Sequence, residues 1–346
     1  MPGQESIPDM YEKFSDIRAI ERQISGLQKI MKIRQFATME EAQKYVLSFK
    51  GAPVPELGGP RSSAESAQEI IYQAYEKSDP KERVRMAYSA LRVYPDCADA
   101  YNLLAEDEAL DDAAALKSYL KAEDAGRSAV GAGFIRDNRG YLWDFIEARP
   151  YMRAMEGVAN ELWCTGKKNE AIKKCREMLK LNERDNQGIR YTLMRFLVEA
   201  QKFRNLAAFM DTDIFEGDND IQWFYTKPMA LFAASGDSPG ARTAVEKAIN
   251  RNFHVVKYMD GHSKIPETLP DKFTPGSEEE AVIYAANNLA LWMLIPGAFG
   301  WLNDTARGVI IRMPSESVRA EAGEAQNGFS WARKIWKKKA GGELPE

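Results

Sequence analysis

Histidine and cysteine are scarce in this 346-residue sequence, with two copies of the first and three of the second. His254 and His262 are not spaced as paired ligands on one helix, and no Cys-x-x-Cys or HExxH occurs, so no zinc or redox centre is expected. Cys97, Cys164 and Cys175 cannot all pair with one another, which points to a reducing compartment. Positive charge is not in excess either. With 47 basic and 51 acidic residues the net charge is −4, and the basic surplus that phosphate binding demands is missing. No nucleic-acid partner is expected. The sequence also lacks GxSxG, a Walker-type loop and GxGxxG, so no enzyme activity and no cofactor is expected. Its first residues, MPGQESIPDM, carry no basic stretch followed by an apolar one. The expectation is therefore no secretory signal and a cytoplasmic location.

What the chain does have is a repeated helical pattern, clearest in residues 149–200. Met155, Val158, Ala159 and Leu162 recur at helical spacing, and so do Ala171, Cys175 and Met178. Each half shows one apolar stripe, and neither can be buried alone. Pro150 suits a first helical turn, Gly166 a stop, and Asn169 with Glu170 a restart. An antiparallel helical hairpin follows. Small residues facing large ones and about 34 residues per unit resemble the tetratricopeptide repeat, which implies protein binding.

The same period runs through the middle of the chain. One unit carries Ala67, Ile70, Ile71 and Ala74, then Ala87, Ala90 and Leu91; the next carries Tyr101, Leu104 and Ala105, then Leu116, Tyr119 and Ala122. Gly126, Gly131 and Gly133 interrupt it. After the central unit come Ile189, Leu193 and Phe196 with Leu206 and Phe209, then a unit holding Ala241, Ala244, Val245 and Ala248. The expected fold is all-α: a tetratricopeptide-like right-handed helical-hairpin solenoid with an extra N-terminal helix and a C-terminal capping helix. Its parts are an N-terminal helical segment, 1–50, a Pro/Gly linker, 51–63, and repeats over 64–252. A closing loop and capping helix follow over 253–302, and a flexible basic-aromatic tail over 303–346.

Ile17, Ile20, Ile24, Leu27 and Met31 alternate by threes and fours, the mark of a helix edge lying on the repeats or of a short coiled coil. The acidic stretch 211–220 lacks EF-hand order and reads as a solvated loop. Residues 281–302 form an uncharged run of 22, long enough for a bilayer by length. Asn287, Asn288, Pro296 and Gly297 interrupt its apolar character, and a cap over the open repeats is the favoured reading. Ser277 and Glu280, at capping-box spacing, place its start near Glu278. WARKIWKKK, 331–339, combines five basic residues with two tryptophans and an isoleucine, a pattern that can lie weakly on an anionic membrane or touch RNA, with a solvated basic tail as the favoured reading.

The motifs RPYMR (149–153), LW (162–163), EAI (170–172) and DNQGIRY (185–191) resemble the suppressor of tumorigenicity family. AQEIIYQAY (67–75), PDCADAYNLL (95–104), GDSPGA, LPDKFTPGSEEEAVIYA and PGAFGWL are similar to the same family's flanking segments. The resemblance, over about residues 64–302, implies an all-helical, non-enzymatic protein. The basic tail lies outside it.

In a tetratricopeptide array the first helices line the binding face. The period puts Arg153, Glu156, Asn160 and Trp163 there, followed by Gln187, Arg190 and Met194, with Tyr72 and Tyr75 from the opening unit. Such a face suits another protein's peptide or helix. A carboxylate clamp places lysine one turn before asparagine, whereas Glu156 precedes Asn160, so a chaperone tail is not the expected ligand. The functional expectation is a protein-protein interaction scaffold. The alternative is a peripheral membrane adaptor that uses 281–302 or the tail.

Overall fold

The computed structural model describes residues 17–34, 36, 38–49, 61–212, 217–259 and 263–312. Among these, sixteen α-helices and no strand occur. The all-α helical-repeat expectation holds. Most of the linker 51–63, His262 and the basic stretch 331–339 lie outside the described residues. Two compact units divide the chain, Met1–Arg190 and Tyr191–Glu346, so the repeat stretch is shared between them.

The first unit contains α1 (Ile17–Ile33), α2 (Met39–Leu47), and three hairpins: α3 (Ser63–Tyr75) with α4 (Pro80–Val93), α5 (Ala98–Asp107) with α6 (Asp112–Val130), and α8 (Arg149–Cys164) with α9 (Lys168–Leu181). A short α7 (Ala132–Asp137) and two 3-10 turns, Leu142–Asp144 and Ile146–Ala148, join the second hairpin to the third. Local chemistry sets the ends. Ser62 and Glu65 form a reciprocal capping box at α3, Asp79 caps α4 ahead of Pro80, and Asp111 caps α6. The helix after Gly166 starts at Lys168, earlier than the Asn169–Glu170 pair implies. Gly166, at φ 82°, closes α8 so tightly that the next amide, on Lys167, donates to the Leu162 carbonyl at 2.8 Å.

The apolar stripes are buried as their spacing requires. Met155, Val158 and Ala159 of α8 and Ala171, Cys175 and Met178 of α9 form one core layer. α6 and α8 approach closely because both carry glycine at the contact. A Cβ on Gly126 would lie 2.8 Å from the Tyr151 Cα, and one on Gly157 would lie 2.3 Å from the Tyr119 ring. Gly126 is therefore a packing residue inside α6 rather than an interruption. The break comes at Gly131, whose φ of 85° ends the helix. The first helices α3, α5 and α8 are consecutive neighbours, α3 with α5 and α5 with α8.

The chain passes into the second unit within α10 (Ile189–Glu199), which is followed by α11 (Phe203–Met210). Next come the hairpin of α12 (Ile221–Ser235) and α13 (Pro239–Arg251), the short α14 (His254–Met259), α15 (Glu278–Met293) and α16 (Ala298–Arg312). His254 thus opens a helix instead of lying on a loop. Ser277 caps α15 by accepting from the Glu280 amide at 3.3 Å, and Pro296 with Gly297 separates α15 from α16. The uncharged run is consequently two helices, the second reaching past residue 303. Among the described residues no helix is long and apolar enough to cross a membrane. Tyr225, Tyr284 and Trp292 are fully buried where α12 and α15 meet, and the Trp292 indole donates to the Tyr284 hydroxyl at 3.0 Å. Arg251 chelates the Glu280 carboxylate at 2.7 and 3.0 Å, and the Asn252 amide donates to it at 2.9 Å.

Candidate functional site

The first helices of unit one carry a set of charges that an apolar core would not tolerate unpaired. Asp99 on α5 is fully buried. Arg153, one turn beyond Arg149 on α8, has only 10% of its side chain exposed. Their pairing is two-pronged: the Arg153 guanidinium donates to Asp99 at 3.1 and 2.6 Å. Gln68 of α3 donates to the same carboxylate at 2.9 Å and Asn102 at 3.0 Å, and Asn102 also donates to the Pro150 carbonyl at 3.1 Å. Burial by itself would raise the Asp99 carboxyl, but the charge and hydrogen bonds of Arg153 offset this and hold it below the ordinary range. Burial likewise works against the charged form of Arg153, and Asp99 and Glu21 more than compensate, so its guanidinium is held above its usual value.

The rest of the set is supplied by α1. Glu21, fully buried, accepts from Arg153 at 2.8 Å on each carboxylate oxygen and from Arg149 at 3.4 Å. One turn earlier, Arg18 stacks 3.6 Å from the Tyr75 ring centroid and pairs with Glu106 of α5 at 2.9 Å. Tyr75 donates to the other Glu106 oxygen at 3.1 Å. Arg22 pairs with Glu69 of α3 and reaches Glu76 at 2.7 Å, while Lys29 reaches Glu65 at 2.9 Å. A single helix therefore touches α3, α5 and α8 through ion pairs at four of its positions. Among its described side chains only Glu21 and Ile30 are buried.

The residues expected on the binding face separate into groups. Arg153 and Tyr75 meet α1 directly. Tyr72 is buried, and burial raises its hydroxyl. Glu156 and Gln187 pair at 3.3 Å, and burial pushes the Glu156 carboxyl upward. Asn160 and Trp163 are half-buried on the same helix as Arg153, with Lys168 4.9 Å from the Trp163 ring. Arg190 instead folds back on Asp185 at 3.0 Å, where that carboxylate accepts the Ile189 and Arg190 amides at the start of α10. Met194 belongs to the second unit and is buried with 3% exposed; its position on α10 faces packing rather than a ligand. Sequence reasoning missed Glu21, Asp99, Glu106 and Arg149. The available signal was a charged residue at i and i+1, Glu21 and Arg22, inside the isoleucine alternation of α1. Its partner Arg153 lies 132 positions away.

One trio could offer ligands to a cation. Asp112 at the start of α6 and Glu161 and Cys164 at the end of α8 bring one ligand atom each within 4.8 Å of one another. Burial and the Asp112 charge raise the Glu161 carboxyl. Two of the three are exposed, and one Glu161 carboxylate oxygen is buried without a hydrogen-bond partner.

These features define an all-α protein of repeated helical hairpins whose first helices hold a further helix by charge. Residues 60–210 match the family model described as ST7 protein. The chain is 27% identical over 282 residues to a Protein ST7 homolog of Drosophila pseudoobscura pseudoobscura, covering 71% of this chain and 49% of that one. Suppressor of tumorigenicity 7 protein-like of Danio rerio is 26% identical over 71% of this chain and 45% of its own. Suppressor of tumorigenicity 7 protein of Macaca fascicularis is 25% identical, over 72% and 54%. The chain spans about half the length of these relatives. The resemblance to the suppressor of tumorigenicity family, read from the motifs, is borne out.

Proposed function

We propose that this chain is a non-enzymatic scaffold in a tetratricopeptide-like mould, binding a helix or peptide of another protein on the face formed by α3, α5 and α8. The observation that carries this reading is the seat of α1. A face that fixes one amphipathic helix by a buried carboxylate set between two arginines has the chemistry to select another. The buried acids and bases described here are engaged with one another, which fits structure and recognition better than proton transfer. Three cysteines with no Cys-x-x-Cys among them fit a reducing, cytoplasmic setting.

The half-buried positions beside the seat provide the test. Affinity capture with the intact chain should retain a specific partner, and Asn160→Ala with Trp163→Ala should reduce that capture at least tenfold while helicity is unchanged. Capture that is indifferent to both substitutions, in a folded protein, would overturn the reading.

A further inference from the structure

We propose that α1 is an exchangeable resident of this face, and that the helix replacing it carries the same charge order: a central carboxylate with basic residues at −3, +1 and +8. The proposal rests on the reading of α3, α5 and α8 as a helix-binding face and specifies the kind of helix it takes.

The first support is the pattern of the seat. With α1 lifted away, Arg153 keeps Asp99 while Arg149 loses its partner Glu21, and the two arginines form a cationic centre. Around it stand Glu65, Glu69, Glu76 and Glu106, the partners of Lys29, Arg22 and Arg18. A cationic centre in an acidic surround repels a purely basic or purely acidic helix. It accepts one whose carboxylate lies at the middle. Arg18, Arg22 and Lys29 sit at −3, +1 and +8 from Glu21, all within about 100° of it around a helix. The charge order is thus a property of one helical face.

The second support is what holds α1. Ile20, Ile24 and Leu27 are only half-buried, Met31 is exposed, and Ile30 is its one buried apolar side chain among those described. Ionic contacts of this kind exchange water for protein partners at little net gain, unlike an apolar core.

The test uses the full chain and a fluorescent peptide of residues 15–34, SDIRAIERQISGLQKIMKIR, followed by anisotropy at low salt. In the wild-type chain the resident α1 competes, and peptide binding should be weak. Glu21→Lys in the chain sets an ammonium against Arg149 and Arg153 and should strengthen binding of the wild-type peptide at least tenfold. A peptide carrying the same E21K change should not bind, and adding Arg153→Glu to the E21K chain should abolish binding of the wild-type peptide. Arg22→Glu with Lys29→Glu, at more exposed positions, is a second way to release α1 should E21K reduce total helicity. Wild-type peptide that binds neither released chain, with helicity intact, overturns the proposal, as does equal binding by wild-type and E21K peptides. Loss of partner capture on N160A and W163A alongside no peptide exchange would leave the scaffold reading standing and remove only this one.

Discussion

Two helices that flank the hairpins, α1 in the first unit and α15 in the second, are fastened by different physics. α15 brings Tyr284, Ala285 and Trp292 into a core with Tyr225, and its buried Glu280 is chelated by an arginine only 29 residues away. Among its described side chains α1 brings one buried apolar group, Ile30, and a carboxylate whose partner is 132 residues distant. Large apolar burial makes a helix part of the core. Charge pairing gives it an address, with less to hold it there.

That contrast can be broken most severely from the apolar side. Trp292→Ala is expected to remove about 3–5 kcal/mol from the second unit, through lost burial and the cavity left behind; urea denaturation followed by tryptophan emission and circular dichroism measures it. An unchanged midpoint would mean that α15 is not core. Arg153→Ala is expected to cost a similar amount, about 3–5 kcal/mol, because Asp99 stays buried without its partner. Its distinguishing mark is local: amide protection in α1 should fall while that of α15 persists.

A smaller effect is expected at the close helix crossing of the first unit. Gly157→Ala puts a methyl group into the Tyr119 ring and should cost about 1–3 kcal/mol, with the loss concentrated in α6 and α8. Salt should then separate the two fastenings without mutation. In about 1 M NaCl, where screening acts within about 3 Å, exchange in α1 should quicken several-fold and that in α15 should hold. Equal responses would remove the distinction between an ionic and an apolar seat.

The mildest perturbation is pH. Burial, reinforced by the Lys257 charge, holds the His254 imidazole below its ordinary value. The unfolded chain therefore binds that proton more readily, and the stability this group contributes is complete above about pH 6.5 and declines as pH falls below it. Asp99 has a depressed carboxyl, so its contribution persists to lower pH, being lost only as pH falls from about 3.9 through its folded value. Intrinsic-rate-corrected protection between pH 7 and 5 should thus weaken first in α14 and α15. Earlier loss in α5 and α8 would contradict this order.

The legible and the hidden parts of the molecule divide along the same line. Met155, Val158, Ala171 and Cys175 declare their buried faces because a helical period is written into consecutive residues, and caps such as Ser62, Asp79 and Ser277 act within a turn. The sequence by itself therefore determined an all-α chain of hairpins, the start of α15 at Glu278, and a family resemblance carried by short motifs. The period marked Arg153 as a binding-face residue of a first helix. Its partners were not legible, because hydrophobic periodicity is a local property whereas charge pairing depends on which distant helices become neighbours. Only the tertiary structure decided that Glu21 would be buried between Arg149 and Arg153, that Met194 would turn into packing, and that Gly126 would serve a contact instead of a break. Each of these depends on how closely one helix approaches another, and that distance is set by the whole packed unit.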